Sequence, residues 1–334
     1  MSLHIDRVYL FGDSLSDTGN VLNFTEDLPL PVPDFFPFPS EPLYAPGVFS
    51  NGDIWIDDLS EEFSFEIDPF IDGFDPATKE IIFNLSDTND GINFAIGGAD
   101  SGDGNVGVVP LGLEQQIDVF ELFAQTQGVE ETFSDDLFFL WIGANDYLGF
   151  IQDDPSTPEV IETNFPEKEK DRRNAVIEVV DINIAGAIDE IMEAGGNNIV
   201  IFNLPDLDNI PLAQELDKKD RKALDKLTKK HNKRLENLVK QEEKSHPNIN
   251  FIEIDVDELF DDVVKNPEEY GFTNVVDGFT QTDLYTNTFD PTPTNIGDDP
   301  STYLYWDSVH PTTAGHSLIA DLVAEELSNQ EFTI

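Results

Sequence analysis

The segment Val8–Asn20 reads VYLFGDSLSDTGN and places a short apolar run directly before a serine near the N-terminus. Residues 8–11 are apolar without alternation and rich in β-branched and aromatic side chains, which is typical of a strand buried on both faces of a sheet. Gly12 and Asp13 end the run, so Ser14 is expected on the turn at the carboxyl end of the strand. Open α/β sheets place their ligand sites at that edge. The segment therefore predicts a parallel sheet with Ser14 where chemistry would occur.

The rest of the chain alternates apolar runs with helical periodicity, which predicts a doubly wound α/β fold. We expect a three-layer α/β/α sandwich, flavodoxin-like, with a central and mainly parallel sheet of about five strands. The whole chain, 1–334, is expected to form one domain, because about 200–350 residues in one α/β domain is not unusual. The predicted strands are 8–11, 92–95, 137–142, 199–203 and 250–254, and the predicted helices are 54–63, 114–127, 172–194, 217–245 and 312–328.

A segment rich in proline and phenylalanine interrupts this pattern at Leu28–Gly47. It holds seven prolines and has no clear periodicity. A loop of this kind is either a lid near the functional site or a passively packed surface segment, and the sequence leaves both open. Its aromatic side chains include Phe35, Phe36, Phe38 and Tyr44.

The segment Tyr303–Gly315, near the other end of the chain, carries a carboxylate and a histidine on one turn. A serine hydroxyl is a weak nucleophile until a base removes its proton, and the base needs a carboxylate that fixes its tautomer. Asp307 and His310 have the spacing to be that carboxylate and that base. Taken alone, such a pair is more often a helix cap and a surface histidine, so the interpretation depends on the other segments.

Two glycine-containing turns offer hydrogen-bond donors for an oxyanion. Asn93–Asp100 (NFAIGGAD) presents the backbone N–H of Gly98, with Gly97 beside it as the neighbouring alternative. Leu140–Tyr147 (LWIGANDY) ends an apolar run and places Asn145 in the following turn, where its amide could donate. Each turn alone would be an ordinary bend. Their order along the chain, between the serine and the Asp–His pair, favours a shared catalytic site.

The four segments together resemble the GDSL or SGNH hydrolases, a family of serine esterases and lipases named for Ser, Gly, Asn and His in separate blocks. By this resemblance, Ser14 in GDSL is the nucleophile, and Asp307 and His310 in DSVH complete the catalytic triad. The resemblance also implies an oxyanion hole made by the backbone N–H groups of Ser14 and Gly98 and the side chain of Asn145 in GAND. The G-x-S-x-G elbow of α/β-hydrolases is absent from the sequence, which argues against that rival fold.

A further stretch, GVFSNG at Gly47–Gly52 followed by Trp55, resembles the plant-type and bacterial lipase branch of the family. That branch usually has arginine where this chain has Val48, so the contact made by the arginine is not expected here. Outside the triad, His316 lies in the predicted last helix and is expected to be structural. The resemblance implies neither a cofactor nor a metal.

The resemblance implies hydrolysis of carboxylic esters through a covalent acyl-enzyme, with a small-molecule or lipid ester as substrate. A phospholipase, a lipid acyltransferase or a polysaccharide deacetylase would use the same site. A non-catalytic binding protein that retains the fold is a further alternative. The aromatic side chains of the Pro- and Phe-rich segment favour an apolar acyl group, although sugar sites also use exposed aromatics.

The composition is strongly acidic, with 68 Asp and Glu against 18 Lys and Arg and a formal net charge of −50. Such a surface repels nucleic acid and anionic lipid, so no nucleic-acid partner is expected. We favour adaptation to high salt, where the Debye length of about 3 Å at 1 M quenches the self-repulsion. The alternative is calcium binding by Asp87–Gly91 or by Asp298 and Asp299, which lack the ligand order of an EF-hand.

Eleven of the 18 basic residues lie between Lys218 and Lys244, where apolar residues recur at steps of three and four. This pattern predicts an amphipathic helix over 217–245. Its lysines are either a solvated face that offsets the acidic remainder or a patch for weak contact with an anionic lipid interface.

The chain lacks the sequence signals of membrane insertion. No run of about 18 apolar residues predicts a transmembrane segment. No basic region followed by an apolar stretch opens the sequence, so no signal peptide is visible in it. The location stays open, with a secreted or periplasmic site favoured over the cytoplasm. Because the sequence has no cysteine, it excludes disulfides and thiol catalysis.

Overall fold

The computed structural model describes residues 3–29, 37–84, 90–127, 133–151, 169–284 and 288–333. Its strands are Leu3–His4 (β1), Val8–Gly12 (β2), Asp68–Pro69 (β3), Ile71–Asp75 (β4), Glu80–Phe83 (β5), Gly91–Asn93 (β6), Leu137–Trp141 (β7), Asn198–Phe202 (β8), Asn250–Ile254 (β9), Asn274–Gly278 (β10), Tyr303–Tyr305 (β11) and Phe332–Thr333 (β12). Its α-helices are Asn20–Glu26 (α1), Trp55–Phe63 (α2), Leu113–Gln127 (α3), Ala144–Ile151 (α4), Glu169–Glu193 (α5), Pro211–Glu215 (α6), Lys218–Ser245 (α7), Val256–Lys265 (α8) and Thr313–Asn329 (α9).

Six strands form the central sheet of the described chain, in the order β3–β6–β2–β7–β8–β9, and every pairing is parallel. The prediction of a parallel sheet is confirmed. The sixth strand, β3, is two residues long and contains Pro69, so it carries no apolar run by which a sequence could reveal it. The chain passes from β2 to β6 on one side and then to β7 on the other. The carboxyl end of β2 is therefore the switch point at which open sheets bind ligands.

Neighbouring residues of β7 show why the sheet is covered on both faces. Phe138 packs against Phe120 of α3, with ring centroids 5.5 Å apart. Phe139, the next residue, packs against Trp55 of α2 at 5.3 Å. Because successive side chains of a strand point to opposite faces, the two helices lie in separate layers. The predicted three-layer α/β/α architecture is confirmed.

Two helices begin at a residue whose side chain caps the N-terminus of the helix. Thr312 is the N-cap of α9, and its hydroxyl accepts the N–H of Gly315 at 3.2 Å. Asp217 caps the Lys-rich helix α7 and accepts the backbone N–H groups of Lys219 and Asp220.

Predicted and observed helices that correspond differ by at most three residues at either end. Helices α1, α4, α6 and α8 are not among the predictions. None of the described helices has the length and apolar character needed to cross a membrane.

The described part of the Pro- and Phe-rich segment, residues 28–29 and 37–47, is built into the protein. Thr25 holds it, since its hydroxyl accepts the N–H of Phe38 at 2.9 Å and donates to the carbonyl of Phe38 at 2.8 Å. Phe38 and Tyr44 are buried in the hydrophobic core. The predicted aromatic residues Phe35 and Phe36 lie outside the described residues.

Candidate active site

The nucleophile turn begins at a glycine that no other residue could replace without movement. A Cβ on Gly12 would lie 2.5 Å from the carbonyl oxygen of Trp141 on the neighbouring strand. The side chain of Gln116, on α3, accepts the N–H of Gly12 at 3.0 Å and donates to its carbonyl at 2.8 Å. These contacts fix the carboxyl end of β2, and Ser14 follows two residues later. Gln116 could not be identified from the sequence, because it looks like any polar residue on an amphipathic helix.

Asp17, in the same turn, ties the nucleophile segment to the segment that contains Gly98. Its buried carboxylate accepts backbone N–H groups from Gly19, Asn20 and Gly97 at 2.9, 2.7 and 2.8 Å. Burial raises the pKa of Asp17 to about 6, although these hydrogen bonds act to lower it. The sequence alone does not reveal this contact, because the run DTGN looks like an ordinary turn. Asp17 therefore holds the segments that carry Ser14 and Gly98 in one arrangement.

A continuous chain of hydrogen bonds joins Ser14, His310 and Asp307. The Ser14 Oγ lies 2.8 Å from His310 Nε2, and His310 Nδ1 lies 2.7 Å from Asp307 Oδ2. The other carboxylate oxygen, Oδ1, accepts the backbone N–H groups of Val309 and His310. Burial would raise the pKa of Asp307. The charge of His310 and the hydrogen bonds of the carboxylate, including one from Tyr44, outweigh burial and hold the pKa below its usual range. The arrangement places a ring nitrogen of His310 within hydrogen-bond distance of Ser14 Oγ and keeps the carboxylate of Asp307 ionised.

The GVFSNG stretch anchors the turn that carries His310. The Ser50 hydroxyl donates to the carbonyl of Pro311 at 2.9 Å, and the Asn51 side chain accepts the N–H of Thr313 at 2.9 Å. Trp55 donates its indole N–H to the Ser16 hydroxyl at 3.2 Å, near the nucleophile. At the position where the lipase branch usually has arginine, Val48 is buried in the hydrophobic core.

The two glycines of the NFAIGGAD turn have different hydrogen bonds. The N–H of Gly97 donates to Asp17, whereas no hydrogen bond found in the described part of the chain uses the N–H of Gly98 or of Ser14. Gly98 has φ +84°, and a Cβ there would lie 2.6 Å from the Gly107 nitrogen, so the position requires glycine. These contacts favour Gly98, rather than Gly97, as the donor.

Asn145 lies in the first turn of α4, directly after β7, where the sequence predicts a turn. Its amide nitrogen donates to the carbonyl of Ala99 at 2.8 Å and lies 3.5 Å from Asp13 Oδ2. Since an amide nitrogen carries two N–H groups, the contact with Ala99 orients the second one. Ser14, Gly98 and Asn145 border the same cavity, as the sequence analysis expects of oxyanion donors.

The cavity beside Ser14 has a volume of about 310 Å³. Its polar groups lie around Ser14 and His310, and most of its remaining wall is apolar. The wall includes Phe38, Phe49, Trp141, Leu148, Ile210 and Phe289. Phe38 therefore faces the site, which favours the first of the two alternatives that the sequence leaves open, a segment near the functional site. Tyr44 does not line the cavity, and its hydroxyl instead donates to the carboxylate of Asp307.

Asp13, the residue before the nucleophile, is buried and titrates near neutral pH. Burial raises the pKa of Asp13 to about 6, against the lowering effects of the Leu15 N–H and the charge of His310. This carboxyl group therefore changes charge at about pH 6 in the residue next to Ser14.

Among the described residues, no hydrogen bond is found between the buried side chain of His316 and the predicted triad. Burial, and then the charge of His310, lower the pKa of His316 to about 3, so its ring is neutral at neutral pH. A neutral, buried ring on α9 is consistent with the structural role that we expect for this residue.

Many cations of the Lys-rich helix α7 lie beside carboxylates. Arg234 contacts Asp181 at 2.5 Å, and Lys233 contacts Glu236 at 2.6 Å. No residue of α7 lines the cavity in the described chain. These contacts favour the solvated face over the lipid-binding patch, which stays a prediction.

The carboxylates that could bind a cation have protein partners of their own. Within the described residues, one group of three has the spacing of metal ligands: Asp206, Asp208 and Asp225. Lys229 lies beside Asp206 and Asp225, and Arg221 lies 3.7 Å from Asp208.

The predicted calcium ligands are also occupied or not described. Asp298 accepts the Tyr303 hydroxyl at 2.6 Å, and Asp299 caps a 3-10 helix at Pro300–Thr302. Most of Asp87–Gly91 lies outside the described residues.

Comparison with known proteins gives consistent matches over most of the chain. The model of the family described as GDSL-like Lipase/Acylhydrolase matches residues 8–323. A GDSL esterase/lipase from Arabidopsis thaliana is 25% identical, with 95% of this chain and 80% of that protein covered. A phosphatidylcholine-sterol acyltransferase from Aeromonas hydrophila is also 25% identical, with 97% and 90% covered. Among solved structures, phospholipase A1 from Streptomyces albidoflavus NA297 is 13% identical with a TM-score of 0.43, and 98% and 100% of the two chains are covered.

Proposed function

The chain belongs to the GDSL-like lipase and acylhydrolase family and is a carboxylic ester hydrolase, and from this we propose that it works through a covalent acyl-enzyme on Ser14. The observation that carries the proposal is the hydrogen-bonded chain from Asp307 through His310 to the Ser14 hydroxyl. That hydroxyl lies at the wall of an apolar cavity, where an acyl group would bind. A nucleophile, its base and a binding site thus meet at one point.

The reaction begins when Ser14 Oγ attacks the ester carbonyl carbon and His310 Nε2 takes the hydroxyl proton. The ionised Asp307 stabilises the imidazolium that forms and keeps Nδ1 protonated. When the tetrahedral intermediate collapses, His310 gives the proton to the leaving alkoxide and an acyl-serine remains. Water then attacks the acyl-serine with His310 again as base, which releases the acid and restores Ser14.

In this proposal, the oxyanion of each tetrahedral intermediate accepts hydrogen bonds from three donors. They are the backbone N–H groups of Ser14 and Gly98 and the side-chain amide of Asn145. Asp17 and Ala99 hold these groups in place before substrate binds, so little reorganisation is needed as charge develops. Such preorganised donors stabilise the transition state more than the ground state.

An apolar acyl chain suits the cavity better than an acetyl group does. A two-carbon acyl group would leave most of the apolar wall exposed to water and without contact. That wall includes Phe38, Leu148, Ile210 and Phe289. Each buried methylene contributes about 0.8 kcal/mol, so longer acyl chains gain affinity until the cavity is filled. The wall therefore favours an esterase or lipase over a polysaccharide deacetylase.

A phospholipase or lipid acyltransferase is the second candidate, and the same wall supports it. The acyltransferase from Aeromonas hydrophila is similar to this chain over almost its whole length. An acyltransferase differs from a hydrolase only in the last step, where an alcohol replaces water as the acceptor. Product analysis with a phospholipid substrate, in the presence and absence of a sterol, separates the two activities.

Ser14→Ala tests the proposal directly. We expect the variant to fold like the wild type and to lose hydrolysis of p-nitrophenyl esters and labelling by a fluorophosphonate probe. The wild type should prefer medium acyl chains over acetyl in the same panel. Full activity in Ser14→Ala, or a wild type that the probe does not label, would refute the acyl-serine mechanism.

The net charge of −50 supports a further part of the proposal, which is adaptation to high salt. Repulsion among the carboxylates destabilises the compact state at low ionic strength, and salt screens it. The substrate panel should therefore be run at low and at high salt.

A further inference from the structure

Tyr44 contacts the triad from outside the cavity. Its side chain is 2% exposed, and its hydroxyl donates to Asp307 Oδ2 at 2.5 Å. The same oxygen lies 2.7 Å from His310 Nδ1. Tyr44 and His310 thus share one carboxylate oxygen, while the backbone occupies the other. Tyr44 does not line the cavity, so its hydroxyl reaches the predicted triad through Asp307, while its ring packs against His310.

Tyr44 is a neutral donor at any pH at which the protein would be assayed. Burial, and then the nearby charges of Asp307 and Asp283, raise its pKa well above the usual value. A donor stabilises the charge of the carboxylate that accepts it, which makes the carboxylate a weaker partner for a second donor. The Tyr44 hydroxyl therefore reduces the stabilisation that Asp307 gives to a protonated His310.

The position of the Tyr44 hydroxyl is set by packing as well as by its hydrogen bond. The Tyr44 ring stands perpendicular to the His310 ring at 6.2 Å, and Phe49 packs on His310 at 5.3 Å. The indole N–H of Trp306 donates to the carbonyl of Leu43 at 2.8 Å, which fixes the backbone just before Tyr44. The hydroxyl is therefore held in place from several sides.

We propose that Tyr44 is a positioning residue whose hydrogen bond to Asp307 weakens the hold of that carboxylate on protonated His310 and so sets the lower pH limit of activity. The inference rests on the proposed function, in which His310 is the base. Without the Tyr44 hydroxyl, Asp307 Oδ2 would accept a hydrogen bond from His310 alone. With the hydroxyl present, the enzyme stays active in more acidic solution.

Other titratable groups face His310 and its partners from the surrounding elements. Asp13 faces it from the turn after β2, His316 from α9, and Asp283 acts on Tyr44 from the segment after β10. Asp13 changes charge at about pH 6 and so contributes to the same part of the pH profile. All of these groups are unchanged when Tyr44 alone is substituted, so the difference between two profiles reports the Tyr44 hydroxyl.

The test is the pH profile of kcat/KM for Tyr44→Phe, measured at constant salt with a p-nitrophenyl ester. The acid limb of this profile is the range in which activity falls as the pH is lowered. We expect it to move to higher pH by about 0.5–1 unit, which corresponds to about a three- to tenfold change in the proton concentration at half-maximal activity. KM should stay within about twofold, because phenylalanine keeps the ring that packs against Phe38 and Phe49 of the cavity wall. Tyr270→Phe is the matched control, since the Tyr270 hydroxyl donates to Asp262 Oδ2 at the same 2.5 Å away from the triad.

A second variant keeps the inference testable if Tyr44→Phe folds poorly. 3-Fluorotyrosine incorporated at position 44 has nearly the same size and a more acidic hydroxyl, so it is a stronger donor. It should move the acid limb in the opposite direction, to lower pH. An acid limb that stays in place in both Tyr44 variants, or that moves equally in Tyr270→Phe, overturns the role of Tyr44.

The same experiment separates this inference from the proposed function. A wild type that hydrolyses esters and is labelled at Ser14, but whose Tyr44 variants keep the wild-type profile, refutes only the role of Tyr44. A wild type without Ser14-dependent hydrolysis refutes the proposed function, and the inference about Tyr44 fails with it.

Discussion

The buried carboxyl groups of Asp13 and Asp17 should make the folded protein more stable at pH 5 than at pH 8. Burial raises the pKa of each to about 6 from a reference value of 3.8. A raised folded-state pKa means that the protonated form is favoured by the fold. Its stabilisation is complete below pH 3.8 and is lost as the pH rises through about 6.

The size of the effect follows from the width of that pH window. Each unit between the two pKa values changes the free energy of unfolding by about 1.4 kcal/mol. About one unit of the window lies above pH 5, so each carboxyl contributes on the order of 1 kcal/mol between pH 5 and pH 8. Asp13 and Asp17 together contribute about 2–3 kcal/mol of extra stability at the lower pH.

The assay is urea unfolding of the wild type, Asp13→Asn and Asp17→Asn at pH 5 and pH 8 and at one high salt concentration. The amide does not titrate, so each variant should lose on the order of 1 kcal/mol of the wild-type difference between the two pH values. Comparing differences also removes any constant cost of the substitution, such as lost hydrogen bonds at Asp17. Equal pH dependence in the wild type and both variants would refute the reasoning.

Three other changes have defined outcomes. Asn145→Ala should lower kcat by about 10²–10³ with a smaller change in KM, measured with a p-nitrophenyl ester, and a KM effect alone would contradict its role as an oxyanion donor. Gly98→Ala places a Cβ 2.6 Å from the Gly107 nitrogen at φ +84°, and it should destabilise the protein by more than about 1 kcal/mol. Thermal unfolding is the check, and a variant as stable as the wild type would count against that geometry. Raising the salt concentration should raise both the Tm and the specific activity, because it screens a net charge of −50, whereas a Tm that is flat or falls with salt would refute the high-salt adaptation.

The strands that position the site were predictable because each is buried on both faces. Two continuous apolar runs, Val8–Phe11 and Leu137–Trp141, form most of β2 and all of β7. A glycine follows each run within two residues. The edge strand Asp68–Pro69 was not predictable, because two residues without an apolar run carry no strand signal. Helix α4 was missed since its first turn, Ala144–Tyr147, reads as the turn of the GAND motif.

The predicted site residues could be found because the family motif carries them in a fixed order. The residues that hold them could not, since their partners are remote in the sequence. Gln116 contacts Gly12 across 104 residues, and Tyr44 contacts Asp307 across 263. A local pattern shows only that Gln116 is polar and that Tyr44 follows several prolines. Their contacts depend on how the helices and the Pro- and Phe-rich segment pack around the sheet.

The segment from Phe38 to Tyr44 links two properties of the proposed enzyme, its preference for acyl chains and the pH range of its activity. Phe38 forms part of the cavity wall, and Tyr44, six residues later, is bonded to the triad carboxylate. A substitution that reshapes the wall to accept another acyl chain would shift the backbone that holds the Tyr44 hydroxyl. Variants selected in this segment for a new substrate should therefore also show a changed pH range, and engineering one property without the other calls for substitutions elsewhere in the wall, such as Leu148.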